Sequence, residues 1–267
     1  MTMIIFQSLI AYMLIGLFAG VMSGSLGIGG GIIVVPGLVT VFQQFNIIPE
    51  DSIMHVAAGC SLAAMILSAM ASLRAHIKVD DILWAVFKRL WPGILIGTIL
   101  GSILASFIDT EWLEIIFGLF LICIAIKLFI DVHATHDERF PRTWVNHFIC
   151  SSIGGLSGLL GVGGGVMIIP YLTYCGVAVR KISAVSSLCV LVVGFIGSTM
   201  FMLTGAYEMK HIPYSTGFIY WPAVLGVAIP SSLIAPYGAK LNYILPIKYL
   251  RYGFIVVLIV TATHMLL

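Results

Sequence analysis

A glycine-rich phrase stands twice in this chain, in register, with Ser157 lying 134 residues after Ser23. The first copy, Gly20 to Pro36, is GVMSGSLGIGGGIIVVP; the second, Gly154 to Pro170, is GGLSGLLGVGGGVMIIP. Glycine in a helix interior costs about 1 kcal/mol relative to alanine, so each run ends one helix and starts another. Both copies sit in strongly apolar sequence. Inside a bilayer, interrupted backbone is tolerated only where it lines a cavity or is buried in protein. Two interruptions in matched positions are the mark of a solute site within the membrane.

Composition narrows the fold class. Of 267 residues, 60% are hydrophobic and 9% charged, and the mean hydropathy is +1.12. Soluble domains carry about 25% charged residues, so the chain is expected to be an all-α polytopic membrane protein. A barrel would alternate polar and apolar residues in segments of about 10, and these apolar runs are continuous. A formal charge of +2, scattered among loops, implies no nucleic-acid partner. Met1–Gln7 lacks Lys and Arg, and no small-residue cleavage site follows. The first apolar segment is therefore expected to be a retained helix. Cys60, Cys123, Cys150, Cys175 and Cys189 form no C-x-x-C pair and suit small core positions. No cofactor or metal is expected.

Apolar segments fall near Ile4–Met22, Ile32–Phe45, Ile53–Leu73, Leu83–Phe107 and Trp112–Ile130. A second set follows at Trp144–Leu160, Val166–Gly176, Ile182–Leu203, Ser215–Ala235 and Ile247–Leu267. The segments after each triple glycine fall short of the roughly 20 residues that span a membrane and suit half-helices or re-entrant arms. The expected organisation is one integral membrane domain with a first repeat at 1–130, a polar linker at 131–143 and a second repeat at 144–267. Duplication extends beyond the glycines. Ala58-Gly-Cys60-Ser61-Leu62 matches Ala184-Val-Ser186-Ser187-Leu188, Trp91-Pro92 matches Trp221-Pro222, and Phe117-Gly118 matches Tyr252-Gly253.

Loop charges give the duplication a sense. Glu50 and Asp51 correspond to Arg180 and Lys181; Arg74, Lys78, Lys88 and Arg89, with Asp80 and Asp81, correspond to Glu208 and Lys210. Asp109, Glu111 and Glu114 correspond to Lys240, Lys248 and Arg251. By the positive-inside tendency, equivalent loops face opposite compartments. That predicts an inverted five-plus-five repeat with both termini outside; a parallel four-plus-four arrangement is the alternative.

The chemistry expected at the interruptions is anion binding. A helix N-terminus presents unpaired N–H groups and about half a positive charge, an anion site that needs no buried lysine. Ser23 to Gly31 and Ser157 to Gly165 would bring two such ends together, with hydroxyls of Ser23, Ser25 and Ser157 as added donors. Cys60, Ser61, Ser186 and Ser187 are the candidate third wall. Small residues also pack membrane helices together, which is the competing account of each one singly. Gly27-Ile-Gly29 lacks the spacing of a dinucleotide fingerprint, and no Lys-Ser/Thr follows either triple glycine as a phosphate loop requires. Arg74, Lys88, Arg89 and Lys127 are expected to anchor helix ends. His133 and His136 fall on the linker. His55, close to Glu50 and Asp51, leaves a proton-relay role open. No carboxylate, histidine or nucleophile cluster recurs inside the spans, so an enzyme is not expected.

The doubled Gly-x-x-Ser-Gly-x-x-Gly-x-Gly-Gly-Gly-x4-Pro phrase, with an Ala-x-x-Ser-Ser-Leu-like helix after each copy, resembles the sulfite exporter TauE/SafE family over almost the whole chain. The resemblance implies a multi-pass cytoplasmic (inner) membrane transporter that exports sulfite, sulfoacetate or a related organosulfonate. It places the motif on Ser23, Gly24, Gly27, Gly29, Gly30, Gly31 and Pro36, and on Ser157, Gly158, Gly161, Gly163, Gly164, Gly165 and Pro170. Where the family helix usually reads Gly-Thr-Ser, this chain has Gly59-Cys60-Ser61. Cysteine is the weaker donor, which points toward a softer or larger organic anion. Alternating access is the expected mechanism and an anion channel its alternative. The expected partners are the small anion and the lipid bilayer; a homodimer is left open.

Overall fold

A computed structural model describes residues 2–26, 29–77, 83–129, 140–177, 179–244 and 247–266. Ten helices form the chain there: α1 (Thr2–Leu26), α2 (Gly31–Phe45), α3 (Ile53–Ile77), α4 (Trp84–Ala105), α5 (Thr110–Phe129), α6 (Thr143–Leu160), α7 (Gly165–Tyr174), α8 (Val179–Thr204), α9 (Trp221–Ile244) and α10 (Ile247–Leu266). Two-residue strands β1 (Ser215–Thr216) and β2 (Ile219–Tyr220) pair antiparallel before α9. Among the described residues, five helices are long and apolar enough to cross a membrane, and α2 and α7 are the shorter apolar ones. The chain is an all-α polytopic membrane protein.

One expected boundary is corrected. The segment from Ser215 does not begin a span, because residues 215–220 turn back on themselves as the β1–β2 hairpin, with Gly217 at φ 56°. The Phe218 amide donates to the Phe201 carbonyl at 3.1 Å, and the Trp221 amide to the Tyr214 carbonyl at 3.1 Å. The helix then starts at Trp221, with Pro222 in its first turn, where a missing N–H leaves no acceptor unsatisfied.

Glycines let the helices approach closely. A Cβ on Gly16 would fall 3.0 Å from Val227 Cα, and one on Gly20 2.8 Å from Ser231 Cα, so α1 runs parallel to α9. In the same way Gly93 meets His147, Gly97 meets Ser151 and Gly158 meets Thr98, so α4 runs parallel to α6. Small residues at such crossings are how membrane helices gain packing without a hydrophobic driving force. Matching the halves as α1 with α6, α2 with α7, and so on, several of the main packings recur when the halves are exchanged, while α1–α2 has no such counterpart in α6–α7. The α1–α9 pair corresponds to α6–α4, α3–α9 to α8–α4, and α2–α3 to α7–α8, while α3–α8 and α5–α10 map onto themselves.

The two ends of the bundle differ in charge. At one end Glu50, Asp51, Asp109, Glu111 and Glu114 line an open depression of about 620 Å³. The Thr110 hydroxyl donates to the Asp51 carbonyl there at 2.6 Å. The hairpin lies at this end too, since the His55 ring stacks on Phe218 at 5.0 Å. At the other end the Arg89 guanidinium donates to the Pro141 carbonyl at 2.7 Å and lies over the Phe140 ring. Asn146 binds the Arg89 carbonyl and accepts from the Tyr171 hydroxyl at 2.6 Å. Between the ends, Leu14, Leu100, Leu119, Phe148, Phe195 and Leu233 are exposed and face lipid. α3 is the most enclosed of the candidate spans.

Candidate functional site

The first interruption follows the last turn of α1. Gly29 takes φ 75°, Gly30 caps α2, and the Ile33 and Val34 amides make the first bonds back to the Gly30 carbonyl at 3.0 Å. The Gly31 and Ile32 amides precede those bonds and have no acceptor within the helix. Gly24 is buried in the last turn of α1. Gly27 and the Ser25 side chain lie outside the described residues.

The second interruption is tied down more tightly. Gly161 ends α6 at φ 73°, the left-handed cap that glycine adopts without penalty, and the Val162 amide donates to the Ser157 carbonyl at 3.1 Å. Gly164, at φ 74°, caps α7, and its amide donates to the Val162 carbonyl. Hydroxyls from other helices bind this turn. Ser61 of α3 donates to the Gly161 carbonyl at 2.9 Å, and Ser102 of α4 to the Gly158 carbonyl at 3.3 Å. A Cβ on Gly161 would fall 2.7 Å from the Ala58 Cβ, so the turn is packed hard against α3.

The two turns meet in the middle of the molecule. A Cβ on Gly31 would lie 2.9 Å from the Gly161 carbonyl oxygen. Gly29 and Gly163 both face Met65 of α3 and Val190 of α8, at 3.7 and 2.8 Å from the Met65 sulfur by the same construction. Along α3, Ala58 and Ser61 hold the second turn toward the acidic end. Ser68 and Ser72 lie beyond Met65, toward the end that holds Arg89.

On that side is a small cavity lined by Ser23, Gly29, Ser68, Ala69, Ser72, Ser187 and Val190. Its volume of about 10 Å³ is the room one water takes. Ser23 is 6% exposed and its hydroxyl has no hydrogen-bond partner among the described residues. Ser187 Oγ donates to the Ser183 carbonyl at 2.9 Å and meets Ser72 Oγ at 3.4 Å. Ser68 Oγ donates to the Met65 carbonyl at 3.1 Å. Each of these hydroxyls can turn its proton toward a ligand, Ser68 and Ser187 by giving up their bonds to the Met65 and Ser183 carbonyls.

Of the residues expected from sequence, Ser23, Gly29 and Ser187 line this cavity, and Gly30, Gly31, Gly161, Gly163 and Gly164 form the turns beside it. Ser61 instead braces the second turn, and Ser157 donates to the Ile153 carbonyl of its own helix at 2.6 Å. Gly158 packs on Thr98, and Gly165 is buried at the start of α7. Cys60 points elsewhere: its sulfur accepts from the Tyr220 amide at 3.1 Å, holding β2 to α3. Ser186 is fully buried and its hydroxyl has no partner among the described residues. Ser68 and Ser72 are cavity residues that the motif comparison does not mark. Their signal was the 3–4 spacing Ser61, Met65, Ser68, Ser72, which puts all four on one helix face.

The comparisons with known proteins agree with one another. The family model described as Sulfite exporter TauE/SafE matches residues 12–265. A protein of Haemophilus influenzae named "Probable membrane transporter protein" is 30% identical over 263 residues, covering 98% of this chain and 99% of that protein. A protein of Methanocaldococcus jannaschii with the same descriptive name is 31% identical over 240 residues, covering 89% and 88%. One of Bacillus subtilis is 26% identical over 246 residues, covering 84% and 89%. No solved structure matches the chain. The chain belongs to the Sulfite exporter TauE/SafE family, whose members are membrane transport proteins and not enzymes.

Proposed function

We propose that this protein exports a small sulfur-containing anion (sulfite, sulfoacetate or a related organosulfonate) across the inner membrane by alternating access. The observation that carries the proposal is the meeting of the two glycine turns at Met65 and Val190, beside a cavity lined by four serines. Two helix N-termini, each worth about half a positive charge, converge there, and no described residue of the cavity lining is cationic. In this reading residues 1–130 and 144–267 form an inverted repeat. Support comes from the packing that survives exchange of the halves and from α4 and α9 starting at opposite ends of the bundle. One turn lies on each side of Met65, so rocking one repeat against the other would expose them in alternation. The small size of the cavity favours this over a channel. A membrane potential, inside negative, drives a unit charge outward by about 2.3 kcal/mol per 100 mV.

The test is sulfite flux in proteoliposomes for the wild type, Gly30→Leu and Gly164→Leu. A leucine at Gly30 meets Ala19, and one at Gly164 meets the Ser157 hydroxyl at a left-handed φ. Saturable wild-type flux that falls at least tenfold in both variants supports the proposal. Unchanged flux in both defeats it, and flux that never saturates selects the channel.

A further inference from the structure

The lining of the cavity bears on which anions fit. None of its residues (Ser23, Gly29, Ser68, Ala69, Ser72, Ser187 and Val190) is charged. Ser23 adds a hydroxyl that is more than nine-tenths buried, without a partner among the described residues, and facing the cavity. The positive potential beside it is that of the α2 N-terminus, with the α7 N-terminus across Met65, together at most about one unit.

Resting on the anion-site reading above, we infer that the site selects singly charged sulfur oxyanions and rejects doubly charged ones. Hydrogen sulfite and simple alkanesulfonates enter; the sulfite dianion and sulfate do not, and sulfoacetate, which carries two charges, drops out of the substrates named above. The cost of moving an ion out of water rises as the square of its charge, so a dianion is about four times as expensive to desolvate. Hydroxyls and amide dipoles worth one unit of charge compensate the first charge and leave the second uncompensated. Ser68, Ser72 and Ser187 can each redirect one O–H toward a ligand oxygen, and Ser23 has one to give without losing a bond. Three oxygens of a sulfonate or hydrogen sulfite are served by these donors. The cavity admits about one water, so α3 and α8 part slightly to take the anion.

Titratable and charged groups on the surrounding helices lie outside this lining. Among the described residues these are Tyr12 on α1, His55, Cys60 and Arg74 on α3, and Lys181 and Cys189 on α8. Methanesulfonate, whose charge does not change near neutrality, reports any effect of their titration, whereas sulfite changes from one charge to two.

The experiment measures proteoliposome flux of sulfite and of methanesulfonate, each at fixed total concentration, from mildly acidic to mildly alkaline pH. Sulfite flux is expected to fall by roughly tenfold per pH unit once hydrogen sulfite has lost its proton, while methanesulfonate flux holds steady. Sulfate and sulfoacetate are expected to compete at least tenfold more weakly than methanesulfonate. Sulfite flux that rises with pH, or dianions that compete as well, overturns the inference and leaves the transport reading standing. Where neither anion shows saturable flux, the transport reading fails, and thermal shifts of the purified protein decide the charge preference. Stabilisation by methanesulfonate and not by sulfate supports it; equal stabilisation, or none, overturns it. A Ser68→Ala, Ser72→Ala double variant that still purifies as a single species is expected to raise the methanesulfonate KM about tenfold. An unchanged KM removes these hydroxyls from the site.

Discussion

The two glycine turns share a sequence phrase and differ in what surrounds them. At the second turn, Ser61 and Ser102 donate to the Gly161 and Gly158 carbonyls, and Ala58 presses on Gly161. At the first turn, the matched serine Ser187 faces a cavity, Ser23 has no partner among the described residues, and the space around Gly29 is open to 3.7 Å. Ser61 and Ser187 are matched in the duplicated sequence; Ser61 donates to the Gly161 carbonyl, and Ser187 lines the cavity beside Gly29. The difference separates two settings of one motif: a turn packed and hydrogen-bonded from neighbouring helices, and a turn that opens on a small cavity. Under the proposed alternating access the two settings would exchange.

The contrast can be broken most forcefully at the packed turn. Gly161→Ala combines a left-handed φ with a collision against the Ala58 backbone and is expected to cost about 4 kcal/mol. Thermal unfolding in detergent should show a large drop in midpoint; a small drop would mean the second turn is looser than described. At the open turn, Ser23→Ala removes a hydroxyl with no bond to lose. It is expected to weaken anion affinity about tenfold, as hydrogen bonds to charged groups contribute about 1.5–3 kcal/mol, with the midpoint unchanged. Binding titration beside the melt separates the two effects.

The matched serines sharpen the comparison further. Ser61→Ala leaves the buried Gly161 carbonyl unsatisfied and should cost about 1–2 kcal/mol of stability with little change in KM. Ser187→Ala should do the reverse, and identical behaviour would erase the distinction. Gly29→Ala is expected to cost far less stability than Gly161→Ala, because the strained φ costs about 1 kcal/mol and the added methyl meets no atom closer than 3.7 Å. A loss as large as that of Gly161→Ala would show that the first turn is packed as well.

Much of this was legible in the chain. The apolar runs bounded by glycine, proline and charge correspond to the ten helices, and the doubled phrase marks where α1 gives way to α2 and α6 to α7. The β1–β2 hairpin was hidden because Ile219 and Tyr220 are as apolar as the helix that follows, and only Gly217 interrupts the run. Cys60 stood beside Ser61 in the motif, yet adjacent residues on a helix lie about 100° apart. That rotation sends its sulfur to Tyr220 and away from the turns. Ser68 and Ser72 lie outside the doubled motifs, and isolated small residues in membrane helices give no signal that separates packing from binding. Only the position of α3 between the two turns distinguishes them.

The most direct test is the position of a bound anion. Hydrogen selenite, the heavier analogue of hydrogen sulfite, can be located by anomalous scattering in crystals of the protein. The account predicts a selenium peak within hydrogen-bond reach of Ser23 and Ser187, beside Gly29 and Met65. A peak in the acidic depression near Asp51 and Asp109, or none between the two turns at saturating anion, would contradict it.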